Sequence, residues 1–351
     1  MFRVGIVGLG WVAVNRHIPS LIRDPRVKIV GVVCRASEEH RKIAKKFGIS
    51  NVYNDVEELL DNSLDIVDVC TPPFTHCEIV VKAAGSKCHV LVEKPFAMNS
   101  KEAEKMVEVA RLNNVKLCVS HNFLFSRSLK RARSLRDSNA LGDITGIIAF
   151  QMSNLKRRLP NWYPMLPGGL FFDESPHMIY SILEFLGKDV EVLWSRAEKW
   201  DNNLQPLKRV EAFLEAKSGG PTAYICSAFN SPRDEWVMAI FGTKRVAIID
   251  FFRDTIVELD EGGRHTPYEV LMKSLDLIWQ ITKETGRSGF RFLAKRLYFG
   301  HDELIKRFID SVDKNSEPPV PAEDGKLVVE VIEQILSKGG VNPQCRVKEY
   351  N

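Results

Sequence analysis

Nowhere does this sequence run apolar for the ~18 residues that a membrane-crossing helix needs. Cysteine is sparse and unpatterned: Cys34, Cys70, Cys77, Cys88, Cys118, Cys226 and Cys345 make an odd count of seven, without CxxC spacing. That argues against a disulfide framework and against a structural zinc site, and no metal is expected. An excess of one charge is missing too. The 49 basic and 45 acidic residues leave a net +4, too even a balance to call for nucleic acid. Internal repeats and low-complexity tracts are absent, and the first residues, FRVGIVGLG, enter a glycine turn at once instead of forming a secretion signal. These absences describe a chain with no membrane span, suited to a reducing, cytoplasmic compartment.

The 351 residues, 44% hydrophobic and 27% charged, are enough for two globular domains. Over the first 120 or so, short β-branched runs (RVGIVG, KIVGVVC, DIVDVC, HVLVEK, KLCVS) alternate with helical patterns such as SKEAEKMVEVARLNN. Continuous apolar strands separated by crossover helices imply a parallel sheet buried on both faces. The expectation for 1–122 is a doubly wound Rossmann domain of α/β class. Beyond residue 123, strand-like segments follow one another with few helices between them, from ITGIIAFQM to TIVELDE. This implies an α+β domain over 123–351, built on a large, mainly antiparallel open sheet with one face half-exposed or used in association. Helical patterns return at 174–187 and 323–338. Segment 271–300 is helical and basic, and reads as packing on its own domain or a second subunit, or as a membrane or polyanion contact through Arg287, Arg291, Lys295 and Arg296.

Gly8-Leu9-Gly10-Trp11-Val12-Ala13 follows the first strand and fits GxGxxG/A. Gly8 permits a tight turn, Gly10 lets backbone approach a pyrophosphate, and Ala13 lets helix pack on strand. The N–H groups around Trp11 and Val12 then meet the phosphates. The second strand ends in Cys34, Arg35 and Ser37, where an NAD site would place a carboxylate. A guanidinium without a carboxylate suits a 2′-phosphate, so NADP(H) is favoured over NAD(H).

Two further stretches are unusual. LVEKPFAMNS (91–100) sets Glu93, Lys94 and Pro95 at the mouth of a buried strand, where a charge is costly unless solvated, paired or employed. PGGLFFDESPHMIY (167–180) sets Asp173 and His177 four apart beside a helical pattern, with Ser175 expected to cap that helix and Pro176 to open it. Lys156, Arg157 and Arg158 read either as a solvated loop or as a receiver for a carboxylate or phosphate.

Together, GLGWVAVNRHIP, CTPPFTH, EKP, SHNF and GGLFFDESPH resemble the Gfo/Idh/MocA family, relatives of glucose-fructose oxidoreductase and inositol dehydrogenase. The resemblance extends to GHDELIKRFIDSVDKNSEPPVPAEDG near the C-terminus. It implies that Lys94, Asp173 and His177 match the family's catalytic residues. Thr71, Pro72, His76, Glu93 and Asn122 match segments lining the cofactor, with Lys94 and Asn122 also facing substrate, and Trp162 matches a tryptophan near the substrate. A sugar or cyclitol, or a nucleotide-linked or glycosidic derivative, is the implied substrate, and a homodimer or homotetramer through the C-terminal sheet the implied assembly. Departures are Ser175 for a glycine, Tyr180 for an aspartate and Leu124 for an arginine.

Oxidising a secondary alcohol needs a hydride acceptor and a base. Lys94 suits the alcohol oxygen, His177 the proton, with a helix N-terminus helping to keep the ring neutral; Asp173 either orients His177 or accepts a substrate hydroxyl. Glu93 points away from Lys94 on the strand and supports the turn or the cofactor. Glycoside hydrolysis with a cycling NAD and non-catalytic sugar sensing are the alternatives.

Overall fold

Six short apolar segments pair side by side, all parallel, because crossover helices return the chain to the same end of the sheet each time. In the computed structural model they are β1 (Phe2–Val7), β2 (Val27–Val33), β3 (Val52–Tyr53), β4 (Ile66–Val69), β5 (His89–Val92) and β6 (Leu117–Val119), in the order β3-β2-β1-β4-β5-β6. The structure describes residues 1–35, 37–200, 207–263, 266–294 and 299–342. Lys295, Arg296 and Cys345 lie outside them. Strand order reverses between β1 and β4, which is where a doubly wound sheet binds its ligand. Val4, Ile6, Val67, Val69, Val90 and Val92 are fully or almost fully buried, as strands covered on both faces require. Two of the crossover helices start on side-chain caps: Ser37 accepts from the His40 N–H at 3.2 Å, and Asn99 from the Glu102 N–H at 2.9 Å.

The compact unit around this sheet comprises Met1–Asn122 and also His301–Glu330. The returning segment is tied in by Val119 N–H donating to Val320 O at 3.2 Å and by Arg26 pairing with Asp310 and Asp313. Nothing in an amphipathic pattern such as HDELIKRFIDSVD says which sheet it will cover, so this return is invisible to periodicity.

The second unit, Phe123–Gly300 with Val331–Asn351, holds β7 (Ile144–Met152), β8 (Val190–Glu198), β9 (Arg209–Ala216), β10 (Thr222–Ala228), β11 (Glu235–Gly242), β12 (Arg245–Asp250) and β13 (Thr255–Asp260). Their order is β13-β12-β11-β7-β10-β9-β8, antiparallel except for β7 beside β10. Burial alternates along β9 and β11, with Val210, Ala212, Leu214, Met238 and Ile240 inside and Phe213, Val237 and Ala239 half-exposed. This is the open sheet the sequence implies.

One helix begins earlier than expected. It runs Leu170–Leu186, entered from Gly168 and Gly169 at φ of 75° and 61°. Ser175 is therefore no cap and Pro176 sits inside the helix. The glycine pair, which can adopt left-handed backbone, sets the start. Pro176 removes one hydrogen bond to the carbonyl four residues back, at a cost of roughly 3 kcal/mol, which burial of nearly every side chain of the helix offsets.

Candidate active site

In the first unit the glycine turn is shaped for close approach. Gly8 has φ +99° and a Cβ there would lie 2.7 Å from the Cys70 carbonyl oxygen, so only glycine fits. A Cβ on Gly10 would meet no protein atom within 4 Å, so packing does not demand this glycine and backbone access to a ligand is the remaining reason for it. The turn leads into a π-helical turn, Ala13–His17. Trp11 is half-exposed beneath the Arg16 guanidinium, 5.0 Å away, and Val12 is partly exposed. These residues fit a dinucleotide.

At the end of β2, Cys34 is partly exposed and Arg35 exposed, while Ser37 is occupied as a helix cap. The loop after β4 is held by His76. Its Nε2 lies 2.9 Å from Thr71 O and its Nδ1 3.0 Å from Pro95 O, so one buried ring joins this loop to the one after β5. Burial pushes His76 below its ordinary value, and a neutral ring donates to one carbonyl at a time. Thr75 Oγ donates to Thr71 Oγ at 2.7 Å, and Pro72 is the extended residue entering the turn Pro73–Thr75. Asn122 is buried at the start of the turn Asn122–Phe125.

Beneath Lys94 lies a charge cluster that motif reading did not assign. His17, wholly buried, sets Nδ1 3.0 Å from both oxygens of Asp68 on β4 and Nε2 2.9 Å from Glu93 Oε1. His301 Nε2 approaches the same Glu93 oxygen at 4.0 Å. Burial works against a charged His17, yet Asp68 raises it well above its ordinary value. Burial likewise opposes the Glu93 carboxylate, but the hydrogen bond and charge of His17 hold it far below the usual range. The cluster is an imidazolium between two carboxylates. Two overlapping sets, His17 with Glu93 and His301, and His17 with Asp68 and Cys70, bring donor atoms within 4.8 Å of one another, a spacing a metal could use, but contacts of 2.9 and 3.0 Å are those of shared protons. Glu93 thus supports the turn that presents Lys94, which is partly exposed at the carboxyl end of β5. One signal for this was visible: a carboxylate, Asp68, in the middle of an otherwise apolar strand.

In the second unit, Asp173 and His177 are buried on the helix Leu170–Leu186. Asp173 lies in the first turn, where unpaired N–H groups favour negative charge. His177 is the eighth helical residue, beyond the first turn to which that effect is confined. Tyr180 orients it: the hydroxyl lies 2.7 Å from His177 Nδ1 and accepts the Phe123 N–H at 3.1 Å. Where Tyr180 accepts from both, Nε2 keeps the lone pair a base needs. The imidazole also stacks on Phe123, centroids 4.6 Å apart, and is flanked by Trp236 at 5.4 Å.

Arg157 is paired with Glu174 and lies 3.1 Å from Asp234, so its charge is largely answered by protein. Glu174 also accepts from Ser153 Oγ at 2.6 Å and Gln151 Nε2 at 3.1 Å. This buried network, adjacent in sequence to Asp173, escaped motif reading. Trp162 is partly exposed at the entry to the turn Tyr163–Met165.

Residues 2–121 match the family model described as oxidoreductase family, NAD-binding Rossmann fold. The chain is 25% identical over 336 residues to myo-inositol 2-dehydrogenase of Thermotoga maritima, covering 93% of each. It is 28% identical over 191 residues to D-glucoside 3-dehydrogenase of Escherichia coli, covering 53% of this chain and 54% of that one. The WlbA dehydrogenase of Bordetella pertussis, solved with NADH and UDP-GlcNAcA, shares the fold at a TM-score of 0.80 and 18% identity, over 97% of this chain and 95% of that one. The family model covers the nucleotide-binding unit, and with its glycine turn and its EKP and aspartate–histidine motifs the chain as a whole is similar to oxidoreductases of the Gfo/Idh/MocA family.

Proposed function

We propose that the chain transfers a hydride between a nicotinamide cofactor and a secondary hydroxyl or ketone of a sugar, cyclitol or sugar derivative. The observation that carries this reading is Lys94, set at the carboxyl end of β5 on a turn whose preceding residue is clamped by the buried Asp68–His17–Glu93 cluster. A cation that follows an anchored residue at the carboxyl end of a nucleotide-binding sheet is suited to meet negative charge developing on an alcohol oxygen. Relatives named as myo-inositol and D-glucoside dehydrogenases support the substrate class.

The nicotinamide cofactor supplies the hydride acceptor or donor. The residues that would hold it are Gly8, Gly10, Trp11 and Val12 for phosphates, Cys34, Arg35 and Ser37 for the adenosine ribose, and Thr71, Pro72, His76, Glu93, Lys94 and Asn122 for the remainder. Lys94 hydrogen-bonds the substrate oxygen, His177 takes or returns the hydroxyl proton, and Asp173 accepts a neighbouring substrate hydroxyl, since Tyr180 already orients the histidine. Asn122 and Trp162 contact substrate. Arg157, already paired, acts through Glu174 more than as a free anion receiver. Replacing Lys94 by Met or His177 by Ala should each lower turnover at least a hundredfold. If both variants stayed within about tenfold of wild type, a loss of only about 1.4 kcal/mol, the assignment would fail.

NADP(H) is the preferred cofactor, because the second strand ends in Cys34 and Arg35 with no carboxylate for a ribose 2′-hydroxyl. Titration with NADPH and NADH decides this, and tenfold tighter NADH binding would overturn it. The half-exposed sheet face bearing Phe150, Phe213 and Val237 is proposed to pair two or four copies, which analytical ultracentrifugation would show.

A further inference from the structure

The helix Pro267–Leu293 is built the wrong way round for a globular protein. At about 100° per residue, its seven charged residues (Glu269, Lys273, Asp276, Lys283, Glu284, Arg287, Arg291) fall on one arc of about 100°. That arc faces the unit the helix belongs to. Gln280 exchanges two 2.9 Å hydrogen bonds with the Glu258 backbone, Glu284 pairs with Arg127, Arg291 with Asp254 at 3.0 Å, and Lys273 donates to Glu261 O at 2.9 Å. Between helix and sheet lies a polar cleft of about 760 Å³. The apolar side has no core to enter there, so it points outward.

That outward side carries Tyr268, Leu271, Leu275, Ile278 and Leu293, all at least half-exposed, with Leu293 at 79%. The helix is ~40 Å long and the stripe presents on the order of 1,000 Å² of apolar surface, above what monomeric proteins usually show. No charged residue interrupts it. Two of its hydroxyls are turned onto the helix: Ser274 Oγ donates to Val270 O at 2.7 Å and Thr282 Oγ to Ile278 O at 2.8 Å. A protein interface of this size carries about one hydrogen bond per 100–200 Å² and a polar rim. A face without charges, its polar atoms confined to a few hydroxyls, matches hydrocarbon and its headgroup boundary. We infer that this helix lies in the plane of a lipid bilayer surface and docks the protein there through its apolar stripe. The helix's basic residues lie on the opposite arc, where Arg291 pairs with Asp254 and Arg287 shares Glu284 with Arg127, so the stripe itself carries no charge.

The test is flotation of the full chain with phosphatidylcholine vesicles at 0.15 and 0.5 M NaCl, beside a Leu275→Glu/Ile278→Glu variant whose NADPH affinity and circular dichroism confirm folding. Wild type should float at both salt concentrations, and the variant's bound fraction should fall at least tenfold. Wild type that stays with the soluble fraction overturns the inference, as does a variant that floats equally well. Binding confined to phosphatidylglycerol vesicles and lost in salt would overturn it too, by making charge the cause. If the variant instead splits an oligomer in sedimentation velocity without vesicles, the stripe belongs to a second copy and the inference is also wrong.

Discussion

His17 shows how much one buried side chain can hold in place. It answers two carboxylates at once, and removing it leaves Asp68 and Glu93 buried together without a counter-charge. His17→Ala should cost about 3–5 kcal/mol in chemical denaturation at pH 7. The pH dependence follows from the two displaced groups. Glu93 is held below its ordinary 4.5, so its contribution is present above that value and is lost as pH falls. His17 is held above its ordinary 6.5, so its contribution is full below that value and fades as pH rises through its raised one. The difference between wild type and variant should therefore be largest between about pH 5 and 7 and shrink on acidification. An equal difference at every pH would contradict the charged-cluster reading. Lys94 was legible in the sequence because EKP carries a recognisable pattern. The role of His17 was not: it lies inside GLGWVAVNRHIP, but nothing in that stretch points to its partners, which are 51 and 76 positions away.

Among the elements, the β1 turn and the helix Leu170–Leu186 hold most of the residues to which the proposal gives a role. Gly8→Ala places a methyl 2.7 Å from a carbonyl oxygen at φ +99°, which should cost at least about 2 kcal/mol and abolish NADPH binding measured by fluorescence. Gly10→Ala meets no protein atom, so it should leave stability within about 0.5 kcal/mol while still weakening cofactor binding at least tenfold. That contrast separates a glycine needed by the fold from one needed by a ligand. Tyr180→Phe removes the bond that orients His177 and should lower kcat about tenfold with NADPH affinity unchanged. The parallel sheet was legible because continuous β-branched runs and helical spacings alternate strictly. The start of the second helix was not, since Ser175-Pro176 is a good local cap signal and the glycine pair before Leu170 overrides it. For the same reason the outward apolar face of Pro267–Leu293 was unreadable: amphipathic spacing shows that two faces exist, and only Arg127, Asp254 and Glu258 show which one docks.

At the scale of the whole molecule, the chain joins a dinucleotide-binding unit to a sheet unit that carries a buried aspartate and an oriented histidine. Neither is sufficient for alcohol oxidation. On the proposed reading the first contributes the cofactor cradle and the cation Lys94 and the second the aspartate and histidine, and alcohol oxidation calls for each of these roles. The most direct test is a single-turnover experiment with oxidised cofactor and a panel of cyclitols and glycosides, following nicotinamide absorbance and product mass together. Wild type should form reduced cofactor and a keto product in equal amounts, and Lys94→Met should form neither at a detectable rate. Product without net cofactor reduction, or wild-type rates in Lys94→Met, would contradict the account.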